Sequence, residues 1–191
     1  KDKEVEDSWR KYPRPVSARN LSNQVEDKVV AALVTAVKQS YPRLAHRYYA
    51  LKARGLKLRK LKYWDRNAPL PAAADKLIPW PEARATVLGA YGRFTPDLAA
   101  IGKRFFDEDW IDAEVRPGKQ SGAFSHPTVP SAHPYILMNY QGKARDVMTL
   151  AHELGHGVHG VLAAEQGLLE QQAPLTTSET ASVFGEMLVF R

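Results

Sequence analysis

A mainly α-helical fold, with a small β-sheet beside one long helix, is predicted by three features of these 191 residues. Apolar residues recur at helical spacing through most of the first hundred positions. From Asp112 the chain turns rich in turn formers, with strand-like content at 123–126 and 135–140. Finally, His152-Glu153-Leu154-Gly155-His156 spaces two histidines by one helical turn.

The composition, 44% hydrophobic and 25% charged, is that of a globular chain rather than a disordered one. The length allows one domain with a sizeable core, or two small ones. No apolar run is long enough to span a bilayer, and the start, Lys1-Asp2-Lys3-Glu4, lacks the apolar stretch of a secretion signal. A cytoplasmic location with no membrane partner is the default expectation. The absence of cysteine means that any metal site must use histidine and carboxylate. The chain does not begin with Met and stops at Phe190-Arg191 inside an apolar helical run, so it reads as a piece of something larger.

The first 19 residues, with Pro13 and Pro15 among charges, read as an entry segment of little regular structure. A helical region is expected over 20–115. Its first helix begins near Asn23, with Glu26 three residues on and Val25, Val29, Leu33 and Val37 along one face, and ends before Pro42. Tyr41 to Lys62 reads as a second helix burying Leu44, Tyr48 and Leu51, with an interruption at Gly55 as the alternative. Within it, Lys52, Arg54, Lys57, Arg59, Lys60 and Lys62 alternate with Leu51, Leu56, Leu58 and Leu61. With a net charge of +6 this invites a nucleic-acid reading, but no recognised motif accompanies the charge, and the solvated face of a helix is preferred. Asn67 to Pro81 is a Pro-rich connection. One helix then opens at Pro81 and Glu82 and runs to Gly89 or Gly92; another opens at Thr95-Pro96 and runs to about Trp110. Tyr48, Tyr49, Trp64, Phe105, Phe106 and Trp110 are read as packing residues.

The remaining stretch, 116–191, is expected to form the metal-binding core. Its two strands should pair, with Ile136, Met138 and Tyr140 on one side and Tyr135, Leu137 and Asn139 on the other, and such a sheet either packs or accepts a peptide backbone as an added strand. On the motif helix, His152 and His156 share a face and can point at one zinc ion, while Glu153 borders the same cleft as a candidate base. A catalytic zinc needs a third protein donor. Position 162 is Leu, so a three-histidine pattern fails, and the candidates are Glu165, Glu170, Glu179 and Glu186. Glu179, after the Pro174 break and on the first turn of a helix over 176–190, is preferred, with Ser182 and Glu186 on its face. The same Glu179 could instead complete a capping box, Thr176-Thr177-Ser178-Glu179.

Gly155, Gly157 and Gly160 each cost a helix about 1 kcal/mol relative to Ala, an expense that close approach of another helix or of substrate would offset. Asp146 is a candidate cap of the motif helix, or a carboxylate supporting a ligand histidine. His159 and Glu186 are further candidates to support the ligands. His126 is a candidate substrate contact, and His133 is a loop residue of either kind. The rival to a zinc hydrolase is a noncatalytic helical module that binds a partner.

The run Arg145 to His159, then Pro174-Leu175-Thr176 and Glu179 to Met187, resembles the oligoendopeptidase F branch of the thimet oligopeptidase family of zinc metallopeptidases. Arg116-Pro117-Gly118-Lys119 and Gly122-Ala123-Phe124-Ser125-His126 are similar to that family's loop and strand ahead of the motif. The resemblance implies a helical zincin-type metallopeptidase core with a channel for short peptides. It implies His152, His156 and Glu179 as ligands of one Zn²⁺ per chain, and Glu153 as the base. It also implies oxyanion-stabilising residues beyond Arg191, so that a chain ending here holds zinc but cleaves poorly. Neither cleavage preference nor oligomeric state follows from it.

Overall fold

The computed structural model describes residues 1–70 and 77–191, and the chain divides into two compact units, Lys1–Asp75 and Lys76–Arg191. Part of the expected Pro-rich connection therefore lies outside the described residues.

The first unit is helical from its beginning. Asp2–Trp9 (α1) and Ser17–Ser22 (α2) replace the irregular entry segment expected over residues 1–19. Helix α1 carries Asp2 and Glu4 in its first turn and the i,i+4 pairs Lys3/Asp7 and Glu6/Arg10, local support that the neighbouring prolines obscured. The next helix, Asp27–Ser40 (α3), starts later than Asn23, which instead follows the last residue of α2. Val29, Leu33 and Val37 do share a face, but that face is exposed. Ala45–Gly55 (α4) stops at the glycine, so Lys57 to Lys62 are not on a helix. Its expected buried stripe is also corrected. Leu44, Tyr48 and Leu51 are exposed, whereas Lys52 and Ala53 are buried. The Lys52 ammonium is satisfied by the Arg66 carbonyl at 2.5 Å, in the 3₁₀ turn Tyr63–Asn67, which lets the aliphatic stem go inside.

The second unit is built from helices packed around a short sheet. Trp80–Phe94 (α5) has Pro81 in its first turn, and Pro96–Asp107 (α6) is capped by Thr95, whose Oγ1 accepts from the amides of Asp97 and Leu98. Ile111–Asp112 (β1), Phe124–His126 (β2) and Tyr135–Leu137 (β3) form a sheet in the order β1-β3-β2. Strand β3 is antiparallel to β2, with Ser125 opposite Ile136, and parallel to β1. The two-residue β1 is too short to show a period, which is why only β2 and β3 were expected. The predicted alternation holds, since Ile136 and Met138 are buried and Tyr135 is exposed.

Two long helices complete the unit, Ala144–Ala163 (α7) and Leu175–Phe190 (α8). Val147, Leu150, Leu154 and Val158 of α7 join Tyr91, Phe105, Ile136 and Met138 in one core. Two glycines set how closely α7 is approached. A Cβ at Gly155 would lie 2.7 Å from the Ala181 carbonyl of α8, and one at Gly157 would lie 2.6 Å from the Phe105 ring. Reciprocally, a Cβ at Gly185 of α8 would meet the Ala151 carbonyl at 2.8 Å. The backbones therefore meet where larger residues would hold them apart. That same Ala151 carbonyl accepts the buried hydroxyl of Tyr91 at 2.7 Å. Among the described residues, no helix is long and apolar enough to cross a membrane.

Candidate metal centre and cleft

Helix α7 presents His152 and His156 on one face because four residues make slightly more than one turn. Their rings stand 5.0 Å apart and nearly perpendicular. Helix α8 crosses at Gly155 and brings Glu179 to the same point: its Oε2 lies 3.4 Å from His152 Nε2 and 3.7 Å from His156 Nε2. Donor atoms of the three residues all fall within 4.8 Å of one another. Two imidazole nitrogens and one carboxylate oxygen, so close and facing one cleft, are a donor set that zinc accepts. Glu165 and Glu170 do not line that cleft.

The other nitrogen of each ring is also occupied. His152 Nδ1 lies 3.3 Å from Glu186 Oε2, and His156 Nδ1 lies 3.2 Å from Ser178 Oγ. A ring that donates from Nδ1 leaves the lone pair on Nε2, the atom that faces Glu179. Glu179 Oε2 accepts from Ser182 Oγ at 2.9 Å, and that fully buried hydroxyl also reaches the Glu179 carbonyl. Ser178, Glu179, Ser182 and Glu186 thus recur along one face of α8.

Glu153 is 7% exposed. Burial pushes its carboxyl above the usual range, and Glu179 adds to this, while His152 and the Ser125 backbone act in the opposite direction. Burial lowers His156, with Glu179 opposing. Both shifts favour neutral side chains in the metal-free protein.

These residues line a cleft of about 580 Å³ whose other walls are β2 and the loop before α8. His126 and His159 line it too. His126 Nδ1 accepts from the Thr128 amide at 3.0 Å, so the neutral ring carries its proton on Nε2. His133 lies elsewhere, stacked on Trp110 at 4.2 Å with the rings 4° from parallel. Asp146 sits at the start of α7, where Oδ2 accepts from the amides of Gln141 and Lys143; it caps the helix. Ser178 and Gln171 drew no attention as cleft residues in the sequence. The requirement that each ligand histidine anchor its second nitrogen was the available signal for Ser178; for Gln171 there was none.

Residues 97–191 match the family described as peptidase family M3. The chain is 32% identical over 181 residues to the chromosomal oligoendopeptidase F of Lactococcus lactis subsp. cremoris, covering 94% of this chain and 30% of that protein. It is 31% identical over 150 residues to oligopeptidase PepF of Bacillus subtilis, covering 78% and 22%. The chain thus spans less than a third of the length of these relatives. Among solved structures, PZ peptidase A with inhibitor 2 superposes with a TM-score of 0.78 at 19% identity, covering 92% of this chain and 32% of that one, which shows a shared fold.

Proposed function

Through residues 97–191 the chain belongs to peptidase family M3, and from that premise we propose that it is the zinc-binding catalytic portion of an endopeptidase acting on short oligopeptides. His152, His156 and Glu179 would hold one zinc ion, with Glu186 and Ser178 orienting the two rings. The observation that carries the reading is the convergence of these three donors within 4.8 Å beside a buried carboxylate, Glu153.

Zinc held by this set supplies Lewis-acid polarisation for the hydrolysis. Glu153 takes the proton of the attacking water and delivers it to the departing amine, and its place on the cleft wall next to His152 suits both transfers. A carboxyl biased toward the neutral form by burial gives up a captured proton less readily to bulk solvent and holds it for the leaving group. Among the described residues, strand β2 pairs with β3 on one side only, so its other edge can take the peptide as an added strand. His126 Nε2–H can then donate to a peptide carbonyl.

Glu153→Gln preserves shape and removes the base. In the complete endopeptidase of which this is the proposed catalytic portion, we expect zinc content to stay at one per chain while turnover of a quenched oligopeptide falls by about 10²-fold or more. Undiminished turnover with zinc bound would refute the assignment.

A further inference from the structure

Between Asp27 and Asp65 the chain carries ten lysines and arginines and neither an aspartate nor a glutamate. The net positive charge of the protein lies wholly in the first unit, which holds seventeen of the 27 basic residues and eight of the 21 acidic ones. On one long helix such a run would be spread over solvent. The fold gathers part of it instead. Helix α4 ends in a reversal: Lys57 takes a φ of 56°, its amide donates to the Arg54 carbonyl, and the Leu58 amide reaches back to the Ala53 carbonyl at 2.9 Å. The chain then returns to the 3₁₀ turn Tyr63–Asn67, which the buried Lys52 ammonium ties to α4 through the Arg66 carbonyl.

This return encloses a cavity of about 580 Å³ whose walls include Arg59, Lys60, Lys62 and Arg66. The described ion pairs of the first unit lie elsewhere, at Lys3/Asp7, Arg10/Glu6, Arg14/Asp27 and Lys28/Glu26. Asp65 is the nearest acid in sequence, and its Oδ2 accepts from the Lys62 amide at 2.8 Å. Four cations around one concavity repel one another and focus a positive field that draws an anion.

Charge does not choose the anion; shape and apolar content do. The volume is that of a small-molecule site rather than of a groove that tracks a strand. Its floor is apolar, with Ala50, Ala53 and Leu61, and two rings border it, Tyr49 and Tyr63. Tyr63 is 86% exposed, with its ring centroid 4.7 Å from that of Trp64. Guanidinium forks pair with phosphate oxygens in twos and ammonium groups pair as point charges, while an exposed tyrosine face can stack on a planar ring.

We propose that the first unit holds a binding site for a nucleoside di- or triphosphate, with the phosphates met by Arg59, Lys60, Lys62 and Arg66 and the base laid on Tyr63. The site uses none of the residues assigned to zinc and stands or falls without the peptidase reading.

The test is calorimetric titration of ATP into the whole 191-residue chain, freed of metal so that no phosphate reports a bound zinc ion. Saturable binding of one nucleotide per chain is expected. Arg59→Gln and Lys62→Gln, at exposed side chains, should each raise Kd about tenfold. Lys38→Gln, an equal loss of charge outside the cavity lining, should change it by less than about twofold because solvent screens the distant charge. Tyr63→Leu should raise the Kd for ATP about fivefold or more and leave that for inorganic tripolyphosphate unchanged. An absence of saturable heat up to millimolar ATP would overturn the proposal. So would equal losses in Lys38→Gln and Arg59→Gln, or tripolyphosphate binding as tightly as ATP, either of which would leave a diffuse positive surface. Affinity for single-stranded oligonucleotides that exceeds that for ATP and grows with their length would give the face to a nucleic acid strand and overturn the nucleotide site.

Discussion

Glu186 and Ser178 lie against the Nδ1 atoms of His152 and His156. The Glu186 carboxylate can only accept, so it favours the His152 tautomer with its proton on Nδ1, whereas the Ser178 hydroxyl can take either role and anchors the His156 ring. Removing the carboxylate charge in Glu186→Gln keeps a polar group near His152 Nδ1 but weakens the hold on the Nδ1–H tautomer. We expect zinc affinity to fall by about 10- to 100-fold, read by competition with a chromogenic chelator, whereas the fold stays intact because Glu186 is 40% exposed on its side chain. Such partners are legible in the sequence only in part. Glu186 follows Glu179 by about two turns and so shares its face, which the spacing alone reveals. Ser178 reaches His156 from another element, and no periodicity relates the two.

At the scale of elements, the junction of α7 and α8 controls the candidate metal centre, because the close backbone contact at Gly155 goes with the approach of Glu179 to the histidines. Gly155→Ala adds a methyl at 2.7 Å from the Ala181 carbonyl, so α8 must move. Overpacking of this kind costs about 1–3 kcal/mol, against a helix-propensity gain of about 1 kcal/mol. The denaturation midpoint should fall or hold, and zinc affinity should fall in either case. Unchanged zinc affinity would mean that α8 accommodates the methyl without shifting Glu179. The loop ahead of β2 is anchored differently. Lys119, with 2% of its side chain exposed, donates to Asp112 Oδ1 and to the carbonyls of Asp112 and Glu114, and Arg116 makes two bonds to the Asp112 carboxylate. These bonds, Arg116's first, lower the Asp112 carboxyl from 3.8 to about 2. A depressed carboxyl stabilises the fold above its unfolded value and loses that contribution as pH falls. The window runs from about pH 4 down to pH 2, and Asp112→Asn should flatten the acid limb of thermal stability across it. Solvent at the half-exposed carboxylate keeps the effect modest.

For the whole molecule, the proposed zinc site would link metal binding to folding. Zinc that binds the folded but not the unfolded chain adds about 2.7 kcal/mol when its free concentration is a hundred times its dissociation constant. Adding a chelator should therefore lower the thermal midpoint, and restoring zinc should raise it again. In Glu179→Ala this zinc dependence should shrink markedly, and a midpoint as zinc-responsive as in the unaltered protein would leave Glu179 without a ligand role. The first unit shows where whole-molecule reasoning from pattern fails. Val29, Leu33 and Val37 were correctly placed on one face of α3, yet the face is exposed. Periodicity reports which residues look the same way, not what they look at.

Local relations were therefore determined by the sequence itself. The turn of helix between His152 and His156, the alternation of Ile136 and Met138 in β3, the Thr95 cap and the burden of glycines in α7 depend on residues a few positions apart, which backbone geometry converts directly into structure. Relations between elements were decided only by the tertiary fold. The Pro174 break made Glu179 a reasonable candidate, but only the meeting of α8 and α7 at Gly155 and Gly185 puts its carboxylate beside both histidines, while Glu165 and Glu170 do not line the cleft. Likewise, the bond that ties Gln171 of the cleft wall to the Thr128 carbonyl depends on bringing together loops 43 residues apart. Contacts at such separation are set by packing of the whole unit, and nothing in the neighbouring sequence encodes them.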